Sequence, residues 1–213
     1  MFDNLLHQDV RNLLENDIAE KKLPGAVLFA GPEASGKLTC ALETARVLSC
    51  TAPVQGEWMC TCPSCRMHKS LVSQNLLLAG PRDCTLEISA AASVFLNACM
   101  RNSTYLNAAR YLYLRSVRKL TMRFNPVLWA DDDKLSKIAT VTGPIDEIME
   151  TLDFPHDLPE EDDIKKAIAE LGKLCGKLES DFLYDSIPVR QIRNISMWAR
   201  MKSTDGRKTV IIE

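Results

Sequence analysis

The sequence predicts an α/β fold in which a parallel sheet is flanked by helices, and three apolar runs lead to this expectation. The first, residues 26–30, precedes a glycine-rich loop and a helical pattern. The second, residues 75–79, ends in Gly-Pro, and the third, residues 208–213, follows the turn motif at 204–206. Short apolar runs bounded by turn residues are typical of buried parallel strands, and helical patterns between them indicate an α/β protein.

The loop at residues 31–39, GPEASGKLT, predicts a phosphate-binding P-loop directly after the first strand. Its candidate nucleotide-binding residues are Gly31, Glu33, Ala34, Ser35, Gly36, Lys37, Leu38 and Thr39. Glycines let successive backbone N–H groups face phosphate oxygens, and the helix N-terminus and Lys37 add positive charge. An ordinary βα turn that uses glycine for its geometry is the alternative interpretation.

The last position of the P-loop pattern G-x-x-x-x-G-K-[S/T] is not met. Leu38 stands where a hydroxyl normally ligates Mg²⁺. Thr39 follows one residue later, which is about 100° of rotation on a helix, so we expect its side chain to point elsewhere. The sequence therefore predicts weak binding of ATP or ADP, no regular Mg²⁺ ligand and no hydrolysis by this chain.

The composition favours a cytoplasmic protein of one large or two small domains. The chain has 213 residues and a formal net charge of −2, which argues against nucleic-acid binding by the whole surface. The sequence shows neither a membrane-spanning apolar run nor the basic and apolar start of a signal peptide. We therefore expect its eight cysteines to be thiols or metal ligands rather than disulfides.

A cluster of four cysteines predicts one structural zinc site in a small excursion at residues 50–68. Its ligands would be Cys50, Cys60, Cys62 and Cys65. Zn²⁺ prefers thiolate, and a loop without its own core needs such a cross-link. Because Cys60 and Cys62 are unusually close in sequence, His68 is an alternative fourth ligand. One alternative is that the cysteines pack in the loop without a metal. A redox pair is disfavoured, because Cys62-Pro-Ser-Cys65 is not expected to open a helix after a strand, as a thioredoxin-type site would.

Helical periodicity covers much of the remaining chain. We expect helices at 4–22, 37–48 and within a block at 100–184, while 85–88 is either a strand or the start of a helix through 98. One helix or two at 135–152 would be interrupted at Gly143-Pro144, and the most regular helix is predicted at 159–182. A last helix begins at Pro188, with an apolar face of Val189, Ile192, Ile195, Met197 and Ala199.

Taken together, these motifs resemble the ATPase-type subunits of the bacterial DNA polymerase III clamp loader. The resemblance lies in the first helix, the sequence AVLFAGPEASGK at 26–37, the cysteines, and the stretches IPVRQIR at 187–193 and VIIE at 210–213. It covers roughly residues 1–80 and 186–213. It implies an AAA+-type P-loop half with a zinc module at 1–89, an inserted helical block at 90–185, and a return to the P-loop domain at 186–213.

The resemblance also implies a role in DNA replication. Active motor subunits of the family carry a hydroxyl after the P-loop lysine and an Asp-Glu pair after the Walker B strand, whereas this chain has Leu38 and a lone candidate acid, Glu213. It is thus most similar to the delta-prime subunit, a scaffold that braces its neighbours. The implied partners are gamma/tau and delta subunits in a ring, with DNA and the sliding clamp reached through the complex and no membrane.

Two further expectations complete the sequence-based interpretation. Compared with the family, the chain looks truncated at its C-terminus, so that the sensors, arginine finger, lid and collar would lie beyond it. The alternative functions are an active gamma/tau-type ATPase, and a nucleic-acid-binding module that uses the basic helix between Arg110 and Arg123.

Overall fold

The computed structural model describes residues 1–3, 5, 7–52, 55–81, 84–153, 160–203 and 207–213. The elements in chain order are α1 (Gln8–Ala19), α2 (Lys37–Ser49), α3 (Pro63–Lys69), β1 (Leu76–Ala79), α4 (Thr85–Met100), α5 (Leu106–Thr121), a 3₁₀ turn (Met122–Phe124), α6 (Leu135–Leu152), α7 (Glu161–Phe182), α8 (Val189–Arg200) and β2 (Thr209–Ile212). Contacts divide the chain into two compact units. No helix in the described ranges is long and apolar enough to span a membrane.

The first unit comprises Met1–Leu77 and Met201–Glu213. Its core joins α1 to α2 through a cluster of buried apolar side chains: Phe2, Leu14, Ile18, Cys40 and Val47. The predicted strands at 75–79 and 208–213 are observed as β1 and β2, which form a two-stranded parallel sheet. The N–H of Thr209 donates to the carbonyl of Asn75 at 2.8 Å, at the start of this pairing.

The second unit, Leu78–Arg200, is helical. In it α4 packs against α5 and α7, and α6 packs against α7. The faces predicted from periodicity are the buried ones: Leu106, Ala109, Tyr113, Val117, Leu120 and Phe124 on α5 and its 3₁₀ turn, and Ile164, Ile168, Leu171, Cys175, Leu178 and Phe182 on α7. The predicted domain boundaries at 89 and 185 stay a prediction.

The apolar run at residues 26–30 is not a strand, and this prediction was wrong. The segment forms neither a strand nor a helix, and Leu28 is 90% exposed. A strand requires partners for its backbone N–H and C=O groups, and within the described chain the ladder contains only β1 and β2. Apolarity alone therefore did not make this run a strand.

Two helix predictions also needed correction. Helix α6 runs through Gly143-Pro144 without a break. An interior proline costs roughly 3 kcal/mol, but α6 buries Ile138, Val141 and Ile145 on one continuous face, at about 1.5–3 kcal/mol each. The open choice at 85–88 is resolved as helix, in α4.

Helix α8 buries a different face from the one predicted. Its buried residues are Gln191, Asn194, Ile195 and Trp198, while Val189, Ile192 and Met197 are exposed. The Asn194 amide donates to the carbonyls of Leu128 and Ala130, so hydrogen bonding as well as apolarity orients the helix. The helix begins after Pro188 rather than at it.

Three boundary predictions remain. The first helix, predicted over 4–22, is shorter and spans Gln8–Ala19. Helix α7 begins at Glu161, and the predicted start at Pro159 lies outside the described residues. The turn predicted at 204–206 also lies outside them.

Candidate phosphate loop and metal centre

The candidate phosphate loop leads directly into the N-terminus of α2. Gly36 is the residue before the helix and has a left-handed backbone with φ of 81°. Ala34 also has a positive φ, of 57°. Such angles turn the chain sharply, and Gly36 adopts its angle without the steric penalty that a Cβ would bring. The loop therefore ends directly at the N-terminus of α2, where backbone N–H groups without helical partners favour binding of an anion.

A cavity of about 440 Å³ adjoins this loop. Of the predicted nucleotide-binding residues, Gly31, Ala34, Ser35, Gly36, Lys37 and Thr39 line it, together with Leu5, His7, Val10 and Phe29. Glu33 is exposed and lies outside the lining. The combination of backbone N–H groups, one lysine and apolar walls has the chemistry to hold a phosphate attached to a flat apolar group.

The Lys37 side chain rests on its own loop. Its Nζ donates to the carbonyl of Gly31 at 2.8 Å and to that of Pro32 at 2.5 Å. The two carbonyls therefore accept hydrogen bonds from Lys37 Nζ that a bound phosphate would otherwise accept. An arriving phosphate would have to exchange these hydrogen bonds for its own, which reduces the net gain from binding.

Leu38 and Thr39 differ sharply in their surroundings. Leu38 is 9% exposed and does not contribute to the cavity lining. The exposed Thr39, which we expected to point elsewhere, does line the cavity, beside Lys37. Glu213, the candidate Walker B-type acid, is exposed and follows β2 immediately.

The four cysteines predicted as metal ligands come together in the first unit. The Sγ atoms of Cys50, Cys60, Cys62 and Cys65 all lie within 4.8 Å of one another. The Sγ atoms of Cys50 and Cys60 are 3.8 Å apart. Tetrahedral Zn–S bonds of about 2.3 Å place sulfur atoms about 3.8 Å apart, so the donor set and its spacing fit such a centre.

Three local structures position these ligands. Cys50 caps the C-terminus of α2, Cys62 caps the N-terminus of α3, and Cys65 lies in the first turn of α3. Because Cys60 joins the group, the alternative with His68 as fourth ligand is not needed. Cys62 precedes α3, but in the described residues this helix follows α2 and not a strand, and the Cys62 sulfur lies among three others rather than facing a single partner.

Hydrogen bonds lower the pKa of one of these four thiols, Cys62. Burial alone would raise the pKa of the Cys62 thiol, but backbone N–H groups of Thr51 and Cys65 donate to its sulfur and lower the pKa to about 6. Burial raises the pKa of Cys65. One of the four candidate ligands is therefore a thiolate at neutral pH before any metal arrives.

Sequence reasoning missed the charged residues around the cysteines. Arg46 is 1% exposed and donates to Cys65 Sγ at 3.1 Å, while it pairs with the buried carboxylate of Glu43. The Nζ of Lys69 contacts the carbonyls of Trp58 and Cys60. The available signal was the i, i+3 spacing of Glu43 and Arg46 on a helix whose neighbouring residues are apolar.

The basic helix proposed for nucleic-acid binding is engaged within its own unit. Arg118 forms an ion pair with Asp146 at 2.5 Å, and Lys119 pairs with Glu87. Arg123 is buried. Carboxylates that already pair with these cations compete with phosphate, so the observed arrangement argues against a nucleic-acid interface here.

Comparison with known proteins gives one family and one relative. The sequence model of the family described as "DNA polymerase III, delta subunit" matches residues 6–125, which is more than half of the chain. "Protein STICHEL-like 3" of Arabidopsis thaliana is 38% identical over 81 residues. That stretch is 38% of this chain but only 7% of the length of the relative. No solved structure matches significantly.

Proposed function

Because the chain belongs to the DNA polymerase III delta subunit family, whose role relates to the clamp loader, we propose that it acts as a delta-prime-like subunit. In this role it contributes to loading the sliding clamp as a scaffold of AAA+ type rather than as a motor. Gamma/tau and delta subunits would be its neighbours in the ring, and DNA and the clamp would be reached through the complex. Clamp loading on bacterial DNA takes place in the cytoplasm, which is the location we propose for the chain.

The observation that carries the scaffold proposal is the residue after the P-loop lysine. Leu38 offers no oxygen to Mg²⁺, and its side chain is buried. Hydrolysis of ATP depends on a metal ion that bridges the β- and γ-phosphates, and in P-loop proteins this ion is held by the hydroxyl at that position. Without that ligand, the loop would hold a nucleotide weakly and would not turn it over.

The experiment is a titration of the purified chain with ATP and with ADP by calorimetry, with and without Mg²⁺. We expect weak binding that does not depend on Mg²⁺, and loss of that binding in Lys37→Ala. Turnover of ATP is measured on the same preparation and should be at background. Robust Mg²⁺-dependent hydrolysis that Lys37→Ala abolishes would overturn the scaffold proposal.

A second candidate is an active gamma/tau-type ATPase, and the position of Thr39 favours it. Thr39 lines the same cavity as Lys37, so its hydroxyl could serve as a shifted Mg²⁺ ligand. The isosteric change Thr39→Val separates the two candidates. Tight Mg²⁺-dependent ATP binding that is lost in Thr39→Val identifies the motor, whereas equal weak binding in both proteins identifies the scaffold.

We further propose that the four-cysteine centre holds one structural Zn²⁺. Four thiolates at tetrahedral spacing suit this borderline-soft ion, and four protein ligands leave no position open for a substrate. The supporting measurement is one zinc per chain by elemental analysis of protein purified without added metal. A metal-free protein that takes up no zinc on titration would refute the proposal.

A further inference from the structure

We propose that Arg46 is a positioning residue of the metal centre: its guanidinium holds the Cys65 sulfur by a charged N–H···S hydrogen bond and fixes the centre to α2. The distance from Arg46 Nη1 to Cys65 Sγ is 3.1 Å, well within the range for a sulfur acceptor. Metal ligands are commonly oriented by a second layer of hydrogen bonds, and Arg46 is placed to supply that bond here. The inference rests on the zinc centre proposed above.

The guanidinium is fully committed in a planar arrangement. Nε and Nη2 donate to the carboxylate of Glu43, with the shortest contact at 2.5 Å. Nη2 also donates to the carbonyl of Gly56 at 2.8 Å, and Nη1 donates to the carbonyl of Glu57 at 3.1 Å and to Cys65. These contacts account for the five N–H donors that an arginine has, so the sulfur receives a directed bond rather than a general charge.

Burial strengthens the hydrogen bond between Arg46 and the Cys65 sulfur. Arg46 is 1% exposed and Cys65 is fully buried, so water does not screen their interaction. Four thiolates around a divalent ion retain two negative charges, and an N–H donor at sulfur lowers the repulsion among them. Glu43 balances the charge of Arg46 and sets the plane of its guanidinium, which aims Nη1 at the sulfur.

A purely structural role for Arg46 makes a different prediction. Its contacts to the carbonyls of Gly56 and Glu57 would hold the segment before α3 whether or not a metal is bound. In that case, removing Arg46 would destabilise the metal-free and the metal-loaded protein equally. If Arg46 positions the Cys65 sulfur, its removal must destabilise the metal-loaded protein more than the metal-free protein. The affinity for metal must then fall as well.

The test compares wild-type protein with Arg46→Lys and Arg46→Met. Lysine keeps the charge but lacks the planar fork, and methionine keeps the length without a donor. Zinc affinity is measured by competition with a chromophoric chelator, and Co²⁺ is then loaded to record its sulfur-to-metal charge-transfer band. Arg66→Lys is the matched control, because Arg66 is an exposed arginine of α3 next to Cys65.

We expect both Arg46 variants to bind zinc roughly 10- to 100-fold more weakly and to shift the Co²⁺ band, since loss of a second-layer hydrogen bond has effects of this size. Arg66→Lys should match wild type. Unchanged zinc affinity and an unchanged Co²⁺ band in both Arg46 variants would overturn the role of Arg46 while the zinc centre stands. Failure of the wild-type chain to bind zinc would overturn both proposals.

A second measurement needs no variant, in case the substitutions prevent folding. Wild-type protein with ¹⁵N-labelled arginine is loaded with ¹¹³Cd²⁺, and scalar coupling between cadmium and the Arg46 guanidinium protons is sought by NMR. Such coupling requires the N–H···S hydrogen bond and does not arise from burial alone. Its detection supports the proposal, and resolved Arg46 guanidinium signals without this coupling refute it.

Discussion

The two ends of α2 are built on different principles. At its N-terminus the candidate phosphate loop is shaped by the backbone, with a left-handed Gly36 and exposed residues at 31–34. At its C-terminus the cysteine centre is shaped by side chains, four sulfur atoms within 4.8 Å and a buried arginine in contact with one of them. The loop is an exposed surface able to bind a ligand, whereas the cysteine centre combines three partly exposed thiols with the buried Cys65 and Arg46.

The stability of the first unit should therefore depend more on the cysteine centre than on the phosphate loop. A site made of buried, mutually bonded side chains contributes to the stability of the folded state, and removing one member leaves the others without partners. A site made of backbone amides at a helix end contributes little until an anion arrives.

Removing the proposed Zn²⁺ should lower the free energy of unfolding more than any of the other changes. For a zinc concentration about 1,000-fold above the dissociation constant, binding only to the folded state adds about 4 kcal/mol to the free energy of unfolding. We therefore expect EDTA, or Cys62→Ser, to lower the stability measured by denaturant unfolding by about this amount. Cys99→Ser, in α4, is the control and should keep its metal. ATP at a concentration near its dissociation constant, which is all that weak binding allows, should change the same transition by less than about 1 kcal/mol, and a larger ATP effect would reverse the comparison.

The protonation of Cys62 should determine how steeply the affinity for metal falls in acid. Its pKa in the folded chain is about 6, against an ordinary value of 9.0, so in the metal-free protein its thiolate adds stability that is complete above pH 9 and is lost as pH falls through 6. Metal binding at pH 7 displaces protons from thiols such as Cys65 but not from Cys62. The slope of log affinity against pH should therefore steepen by about one unit below pH 6. A constant slope between pH 5 and 8 would contradict this.

Gly36→Ala should have an intermediate effect that is confined to the loop. An alanine at φ of 81° costs about 1–2 kcal/mol, although the space around this Cβ is open. We expect a loss of stability of that size by denaturant unfolding, with unchanged zinc content and weaker binding of ATP. Gly25→Ala is the matched control, because its Cβ also meets open space and its φ is not positive. Equal effects of the two changes would show that the loop does not hold Gly36 in this conformation.

The features that the sequence predicted well were those with a local cause. The face of α7 follows from its own periodicity, from Ile164 to Phe182, and the strands at β1 and β2 follow from short apolar runs beside turn residues. The cysteine group was predicted from composition and spacing, because few other arrangements use four thiols within sixteen residues.

The features that the sequence did not predict depend on partners from distant parts of the chain. The polar face of α8 is buried because Asn194 reaches carbonyls at Leu128 and Ala130, which no helical pattern encodes. Arg46 lies against Cys65 only because residues 56–65 fold against α2, which the sequence pattern around Arg46 does not encode. The run at 26–30 had the composition of a strand, but strand formation depends on a neighbour that periodicity does not reveal.

Substitution of Leu28 tests whether the run at 26–30 is packed like a strand. It should change the free energy of unfolding least. Its side chain is 90% exposed, so Leu28→Ala should change the free energy of unfolding by less than about 0.5 kcal/mol. Leu77→Ala, in β1, is the comparison, because Leu77 is 1% exposed and truncation of such a residue costs about 2–5 kcal/mol. Both values come from denaturant unfolding of the same preparation. A loss of 2 kcal/mol or more in Leu28→Ala would mean that Leu28, and not only its neighbour Phe29, is packed in solution, and that the segment before the loop is packed as firmly as β1.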